Sequence, residues 1–349
     1  MPAANGINGH ASSRILKPGV WAPIPTFFLE NEDLDIPTFK AHVTRLAKAG
    51  MQPVVCGSMG EAFHLNHEER VVLFNAARKA LDEAELYETV LIAGTGGNST
   101  RATIALCESA AEAGADLVIV ITPGYFAGAM NKSALKQFFL DIQAASPLPV
   151  MLYNYPGAAG GIDLDSDLVE AIAKEGANTC GIKLTCGAVG KLTRITAATA
   201  TPSFREGYPR KSSAAPDWLT LGGFADFLLP TVIGSRAGGA IMGLGNVFPH
   251  ALARLMELSL AIADSSAHKP GDLAKALELQ DLASSADASF SRAGIAGTKW
   301  FLRKHQGGYP NARVRRPLLE FDDERGAALE KEEGVARFLE VEKALAAGK

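Results

Sequence analysis

From Val20 onward, short apolar runs alternate with longer segments in which apolar residues recur with the helical period. This alternation is typical of a parallel sheet whose strands are connected by helices. The apolar runs predict eight strands, at Val20 to Phe28, Pro53 to Cys56, Val90 to Ala93, Leu117 to Ile121, Val150 to Tyr153, Cys180 to Leu184, Trp218 to Leu221 and Gly239 to Met242. The periodic segments predict amphipathic helices, among them Ile36 to Ala49, Asn66 to Leu81, Thr100 to Ala113, Lys132 to Ala145 and Asp165 to Lys174.

Eight βα repeats indicate the α/β class and, within it, a (β/α)8 TIM barrel, which typically needs about 250 residues. The rival architecture is a doubly wound open sheet, which usually carries a glycine-rich nucleotide-binding turn after its first strand. Here residues 29–35 follow the first predicted strand and contain no glycine. The sequence therefore favours the closed barrel.

The chain divides into three predicted parts: a flexible leader at 1–18, the barrel at 19–263 and a C-terminal helical extension at 264–349. Beyond Met242 the apolar period is helical to the end of the chain, which predicts the extension. Residues 201–217 are polar and interrupted by Pro and Gly, so they predict a long surface loop before the seventh strand.

Composition narrows the classes of function. Of 349 residues, 47% are hydrophobic and 21% are charged, which is typical of a water-soluble globular protein. The formal charge is −4 and no basic run is dense enough to follow a phosphate backbone, so we expect no nucleic-acid partner. No stretch reaches roughly 18 uninterrupted apolar residues, so we expect no membrane span. Four cysteines without a C-x-x-C pair indicate a reducing compartment, the cytoplasm, and the basic leader leaves the mitochondrion as the alternative.

Lys183 lies in the apolar run Cys180-Gly181-Ile182-Lys183-Leu184, near the carboxyl end of the sixth predicted strand. That end of a barrel carries the reactive groups. Burial there favours the neutral amine, which is the form that attacks a carbonyl to make a Schiff base. For this strand alone, the competing interpretation is a lysine that extends its amine to solvent or pairs with a carboxylate.

Tyr153 lies at the end of the fifth predicted strand, in Val150-Met151-Leu152-Tyr153-Asn154-Tyr155-Pro156, one βα unit before the lysine. A phenol near an imine can donate and accept protons during carbinolamine formation and C–C cleavage. For this residue alone, the competing interpretation is a core tyrosine with a satisfied hydroxyl.

The second predicted strand runs into Gly57-Ser58-Met59-Gly60-Glu61. Glycines on both sides of a hydroxyl residue let backbone N–H groups approach an anion, as a pyruvate-type carboxylate requires. An ordinary strand-to-helix turn explains the same five residues equally well.

Together these motifs resemble the dihydrodipicolinate synthase and N-acetylneuraminate lyase superfamily of class I, pyruvate-handling aldolases. Residues 57–61 match the G-x-x-G-E loop of that family, residues 153–156 match its Y-N-x-P motif, and residues 181–183 match the G-x-K strand of its imine lysine. Further matches occur at residues 93–96, 113–116, 122–126 and 298–300. The resemblance therefore covers nearly the whole predicted barrel and part of the extension.

The resemblance implies Lys183 as the Schiff-base nucleophile and Tyr153 as the acid and base. It also implies that the run Gly57-Ser58-Met59 binds the substrate carboxylate through the Ser58 hydroxyl and the backbone N–H groups of the loop. The pair Gly222-Gly223, after the seventh strand, falls where the family lines its pocket with backbone groups.

Tyr125 occupies the position from which members of this family lend a tyrosine to the site of a neighbouring subunit. The resemblance implies a homotetramer built from tight dimers, or a homodimer. It also implies a reaction that needs no metal and no organic cofactor. The expected partners are a small 2-oxo acid, pyruvate, an aldehyde and further copies of this chain.

Two departures from the family pattern change the expected substrate. Dihydrodipicolinate synthases resemble one another in having two hydroxyl residues in the first loop, and here Met59 takes the second place. They also have an arginine two residues after the Y-N-x-P proline, where this chain has Ala158, so a bidentate clamp on a second carboxylate is missing. We therefore predict reversible cleavage of a 2-keto-3-deoxy sugar acid, such as 2-keto-3-deoxy-L-galactonate, to pyruvate and an aldehyde such as glyceraldehyde.

Three alternatives stay open: 4-hydroxy-2-oxoglutarate cleavage to pyruvate and glyoxylate, a dihydrodipicolinate synthase-like condensation, and a catalytically dead pyruvate-binding barrel. A metal site at His64 and His67 is not expected, because both lie at a helix start where their rings would diverge. Lys299 is a weaker candidate nucleophile than Lys183, since we expect a helical tail to be a poor place to keep water from an amine.

Overall fold

The strands form a closed barrel in the computed structural model, which describes residues 14–264 and 266–348. Eight parallel strands, β1 to β8, pair in sequence order, and β8 pairs with β1. Their bounds are Gly19–Pro23, Gln52–Val55, Ile92–Gly94, Leu117–Ile121, Val150–Asn154, Thr179–Leu184, Leu219–Gly222 and Gly239–Ile241. The predicted (β/α)8 barrel is confirmed.

β1 is shorter than its apolar run, because it ends at Pro23 and not at Phe28. Pro23 and Pro25 have no backbone N–H to donate to a neighbouring strand. The chain leaves the barrel there, and Phe28 forms an isolated antiparallel bridge with Leu34. The run looks strand-like in sequence because Phe27 and Phe28 are buried, although they are buried outside the sheet.

Helices follow the strands, and several begin at a small polar residue whose side chain caps the first turn. Asn66 and Glu69 form a capping box at the start of the second helix, and Asp35, Ser99 and Asp165 cap three others. Such caps fix where each βα loop ends. Within the described ranges the helices are α1 to α12, at Ile36–Lys48, His67–Glu83, Thr100–Glu112, Lys132–Ala145, Ser166–Glu175, Val189–Thr199, Pro202–Gly207, Leu228–Ser235, Pro249–Ala263, Asp272–His305, Asp323–Lys331 and Glu333–Ala346.

Apolar side chains fill the barrel interior and its amino-terminal end. Leu16 and Ala215 belong to this inner core, and the backbone N–H of Leu16 donates to the carbonyl of Ala214 at 2.7 Å. Residues 201–217, predicted as a surface loop, are mostly exposed. The prediction missed the short helix α7 and the burial of Ala215 in this core. The strands contribute Trp21, Val54, Ile92, Ile119, Met151, Leu221 and Ile241 to the same core.

The end of the predicted leader packs against the barrel. Arg14 is buried and its Nε lies 2.6 Å from Oδ1 of Asp116, whose Oδ2 accepts the backbone N–H of Leu91. Residues 1–13 lie outside the described residues. The division of the chain into leader, barrel and extension stays a prediction.

The C-terminal helices join the barrel through an aromatic cluster of Phe248, Phe290, Phe301 and Phe338, with ring centroids 4.9 to 5.7 Å apart. α10 has 34 residues and is interrupted at Gly294, whose φ of 63° and ψ of −156° are not helical. Glycine reaches such a conformation because it has no Cβ. In the part of the chain that the structure describes, no helix has the length and apolar content needed to cross a membrane.

Candidate active site

Lys183 and Tyr153 lie side by side at the carboxyl ends of neighbouring strands. β5 and β6 pair in parallel with these two residues directly opposite each other. Residues opposite each other in paired strands point to the same face, so both side chains enter the barrel. Nζ of Lys183 lies 4.3 Å from the centroid of the Tyr153 ring.

The amine of Lys183 is buried and lacks an ionic partner. Lys183 is 6% exposed and Tyr153 is 5% exposed. Among residues 14–264 and 266–348, no carboxylate forms an ion pair with Nζ of Lys183. Both competing interpretations of this lysine, extension into solvent and pairing with a carboxylate, are therefore disfavoured by the geometry. An amine without a partner is available to attack a carbonyl.

The loop after β2 brings a hydroxyl to the phenol. Oγ of Ser58 lies 3.4 Å from the Tyr153 hydroxyl oxygen, and either group can donate. Cys56 and Glu61, on the two sides of this loop, both have left-handed backbone conformations, with φ of 57° and 54°. Non-glycine residues adopt this conformation only where surrounding contacts enforce it.

Contacts from α10 and from the segment between α10 and α11 hold the loop at Glu61. Its Oε1 accepts a hydrogen bond from Nζ of Lys299 at 2.5 Å, and both side chains are fully buried. Its Oε2 accepts the backbone N–H of Arg315 at 2.8 Å. The guanidinium of Arg315 pairs in a bidentate manner with Glu69, at 2.7 and 2.9 Å.

One part of the prediction about Lys299, that a helical tail leaves its amine in contact with water, is wrong. A helical tail does exclude water from this amine, because α10 docks on the barrel, and burial lowers the pKa of Lys299. The ion pair with Glu61 and a hydrogen bond to the carbonyl of Arg313, at 2.7 Å, engage the amine. These contacts make Lys299 a residue that positions the loop.

A cavity of about 300 Å³ opens above the Lys183 amine. Of the predicted site residues, Ser58, Met59, Tyr153, Lys183 and Gly223 line it. Gly57 lines a small adjoining cavity with Ser58 and Tyr153. Other residues around the main cavity are Pro23, Tyr155, Thr185, Phe224, Gly243, Leu244, Asp287, Phe290, Ser291, Gly294, Ile295 and Thr298.

The glycine pair at the carboxyl end of β7, Gly222 in the strand and Gly223 after it, lets the chain approach β6 and Thr185 closely. A Cβ on Gly223 would lie 2.2 Å from Oγ1 of Thr185 and 2.5 Å from its Cα, so no larger residue fits there. Gly222 pairs with Leu184 in the barrel. It precedes Gly223 in the chain and does not itself line the cavity. Oγ1 of Thr185 is itself buried without a hydrogen-bond partner in the described chain.

Tyr125 lies apart from these residues. It is 84% exposed and its ring meets that of Phe126 edge-on, with centroids 5.0 Å apart. Both aromatic residues line a different cleft, between the loops after β3 and β4 and the helix α4. The structure of a single chain thus brings the other predicted catalytic residues together without Tyr125.

Motif analysis missed Asp287 and Ser291 in the wall that α10 contributes, although it included Thr298 of the same wall in a match to the family. Among these residues Asp287 has a shifted pKa, because burial raises it from 3.8 to about 7. The hydrophobic period of a helix shows which face is buried, but does not show which cavity that face lines. No cluster of His, Cys, Asp and Glu side chains suited to a metal ion occurs within the described ranges.

Comparisons with known proteins match the chain over most of its length. A model of the dihydrodipicolinate synthetase family matches residues 17–333. An L-threo-3-deoxy-hexylosonate aldolase from Hypocrea jecorina is 40% identical over 332 residues, which are 94% of this chain and 98% of the relative. A protein of Emericella nidulans, named a probable mitochondrial 4-hydroxy-2-oxoglutarate aldolase, is 39% identical over 335 residues, 96% and 99% of the two chains. The structure of YagE from Escherichia coli K12 in complex with pyruvate superposes with a TM-score of 0.77 at 28% identity, covering 93% of this chain and 98% of YagE.

Proposed function

Because this chain belongs to the dihydrodipicolinate synthetase family, we propose that it is a class I aldolase that cleaves a 2-keto-3-deoxy sugar acid to pyruvate and an aldehyde. The observation that carries the proposal is the buried, unpaired amine of Lys183 opposite the phenol of Tyr153. The YagE structure with pyruvate supports pyruvate as the common product.

Lys183 begins the reaction as the nucleophile. Its neutral amine attacks the C2 carbonyl and forms a carbinolamine. Tyr153 donates its phenolic proton to the carbinolamine hydroxyl, which leaves as water. The products of this step are a protonated imine on Lys183 and a phenolate on Tyr153.

The protonated imine then accepts the electrons of the breaking bond. The Tyr153 phenolate removes the proton of the 4-hydroxyl group, the C3–C4 bond breaks, and its electron pair forms the enamine of pyruvate. C4 becomes the carbonyl carbon of the aldehyde, which departs. Tyr153 returns the proton to C3, and water then hydrolyses the imine, which releases pyruvate and restores both side chains.

The loop after β2 binds the C1 carboxylate in this proposal. Ser58 supplies a hydroxyl and the backbone from Gly57 to Met59 supplies N–H groups, which suit an anion. Gly223 lines the same cavity and packs so closely against Thr185 that no side chain fits at this position.

Release of pyruvate from 2-keto-3-deoxy-L-galactonate tests this function directly. We expect the wild-type chain to release pyruvate in the presence of EDTA and the Lys183→Ala variant to release none above background. Activity that EDTA abolishes, or that Lys183→Ala retains, would contradict the proposal. Saturable pyruvate binding without turnover of any oxo acid would instead support a binding protein.

4-Hydroxy-2-oxoglutarate is the second candidate substrate, because the Emericella nidulans relative carries the name of that aldolase. A dihydrodipicolinate synthase-like condensation has weaker support, since Ala158 stands where those enzymes carry an arginine. A panel of aldehydes with and without a terminal carboxylate, tested in the condensation direction with pyruvate, separates the three substrates. The sugar-acid proposal predicts that glyceraldehyde is preferred over glyoxylate.

Assembly and location belong to the same proposal. We propose that Tyr125 and Phe126 are covered in a dimer or tetramer and that Tyr125 serves the neighbouring site. For location we propose the cytoplasm, and the name of the Emericella nidulans relative supports the mitochondrion as the alternative. Imaging the full chain with a fluorescent protein at its C-terminus distinguishes the two compartments.

A further inference from the structure

One wall of the cavity comes from the C-terminal helix α10. Asp287, Ser291 and Thr298 line this wall, and the helix is interrupted between them at Gly294. None of the three belongs to a strand or to a βα loop, where the proposed catalytic residues lie. Within this wall, Asp287 contacts the loop after β7, whereas Ser58 lies on the loop after β2.

Asp287 has one engaged and one unengaged oxygen. Its Oδ2 accepts the backbone N–H groups of Ala225 and Asp226 at 2.7 and 3.2 Å. Within the described chain, its Oδ1 accepts no hydrogen bond, although Asp287 is 4% exposed. Because Asp287 lines the cavity, this oxygen can accept a hydrogen bond from a hydroxyl group bound there.

The cavity contains few charges. Lys183 and Asp287 are the only lysine, arginine, aspartate or glutamate side chains that line it in the described residues. Lys183 is consumed in the bond to the keto acid, so no other cation remains for a second carboxylate. Hydroxyl groups, in contrast, would find the polar side chains of Asp287 and Ser291 on the α10 wall.

We propose that Asp287 is a specificity-determining residue, whose carboxylate accepts a hydrogen bond from a hydroxyl of the aldehyde half of the substrate and repels a second carboxylate. The inference rests on the proposed function, because it assigns the far half of the same site. In this role Asp287 favours polyhydroxy aldehydes over oxo acids such as glyoxylate. Repulsion between the Asp287 carboxylate and a second substrate carboxylate supplies the discrimination.

The Asp287→Asn variant tests the inference. Asparagine keeps an oxygen acceptor for the N–H groups of Ala225 and Asp226 but removes the charge. At pH 8 we measure kcat/KM for 2-keto-3-deoxy-L-galactonate and for 4-hydroxy-2-oxoglutarate. We expect the ratio of the first to the second to fall at least about tenfold in Asp287→Asn, in line with the strength of hydrogen bonds to charged groups.

Asp226→Asn is the matched control, because it removes a carboxylate from the neighbouring loop at an exposed position outside the cavity lining. We expect its ratio to stay within about twofold of wild type, the size of effect typical of an exposed charge. An unchanged ratio in Asp287→Asn, or an equal shift in Asp226→Asn, would overturn the inference.

A second variant covers the case in which Asp287→Asn does not fold. Ser291 is exposed and lines the same wall, so Ser291→Lys places a cation there without disturbing the core. We expect Ser291→Lys to lower the same ratio, and an unchanged ratio would count against the inference. Trapping of pyruvate on wild-type Lys183 distinguishes failure of the proposed function from failure of the inference about Asp287. If no adduct forms, the proposed function is contradicted. If an adduct forms and the ratios are unchanged, only the role of Asp287 is contradicted.

Discussion

At the scale of single residues, the proposed chemistry depends on strand register. Tyr153 and Lys183 lie directly opposite each other in β5 and β6, and Ser58 adds a hydroxyl 3.4 Å from the phenol. A slip of one residue in either strand would turn one of the two side chains out of the barrel. The proposed acid–base group, Tyr153, and the proposed nucleophile, Lys183, are therefore neighbours because β5 and β6 pair in this register.

Replacing Tyr153 with phenylalanine should remove proton transfer and keep the ring below the amine. We expect kcat to fall by roughly 10² to 10⁴, the usual contribution of a positioned acid or base. Tyr155→Phe is the matched control, because Tyr155 stacks on Tyr153 with centroids 5.9 Å apart and also lines the cavity. Steady-state kinetics measure kcat of both variants. Equal losses of kcat in Tyr153→Phe and Tyr155→Phe would contradict the role of Tyr153.

Asp287 should make stability depend on pH. Burial, with the neighbouring Asp226 as a smaller cause, raises the pKa of Asp287 from 3.8 to about 7 in the folded chain. The folded state therefore holds this proton more tightly than the unfolded state. The resulting stabilisation is complete below about pH 4 and is lost as the pH rises through 7.

Urea denaturation of wild type and Asp287→Asn between pH 4 and pH 8 measures this effect. We expect the free energy of unfolding of wild type, relative to the variant, to fall across that range by about 1.4 kcal/mol for each pKa unit. A difference that does not change with pH would show that the carboxyl titrates at its ordinary value.

At the scale of elements, the C-terminal helices complete the site that the barrel begins. α10 brings Lys299 to Glu61 below the Ser58 loop and Asp287 to the loop after β7. Glu61 keeps a left-handed backbone at the end of its loop, with φ of 54°. The buried ion pair therefore couples the conformation of the Ser58 loop, which we propose binds the substrate carboxylate, to the docking of α10.

Breaking this pair from either side should destabilise the chain. Lys299→Met or Glu61→Gln leaves one buried charge without the opposite charge of the pair, so we expect each to cost roughly 3–5 kcal/mol. The double variant should cost clearly less than the sum, and chemical denaturation of all four proteins measures the coupling. Lys79→Met is the control, because its exposed pair with Glu83 should contribute less than about 1 kcal/mol.

Sequence patterns predicted the elements and the strand-borne part of the site, since both depend on local spacing. Lys183, Tyr153 and the Ser58 loop could be placed because each lies where a strand ends. The Glu61–Lys299 pair joins residues 238 positions apart, and neither local period nor motif spacing carries that contact. Sequence patterns did not identify Asp287 for the same reason, because its place in the cavity depends on how α10 docks on the barrel.

At the scale of the whole molecule, one exposed aromatic pair points to assembly. Tyr125 and Phe126 are 84% and 67% exposed, although large apolar side chains in the described chain are mostly buried. Such pairs are typical of surfaces that another molecule covers. This fits the proposal that Tyr125 completes the site of a neighbouring copy.

Mixing two inactive variants tests that proposal. Lys183→Ala subunits retain Tyr125, and Tyr125→Ala subunits retain Lys183. If the tyrosine acts across an interface, refolded mixtures should regain cleavage activity that neither variant has alone, because some sites combine both residues. A fully active monomer by analytical ultracentrifugation, or mixtures without recovered activity, would contradict the exchange.

Trapping the imine tests the central claim most directly. Wild-type protein is incubated with pyruvate and borohydride, digested, and analysed by peptide mass spectrometry. We predict a reduced pyruvyl adduct on Lys183, with activity lost in proportion to its formation and with Lys299 unmodified. Full activity with an unmodified Lys183, or an adduct confined to other lysines, would contradict the account.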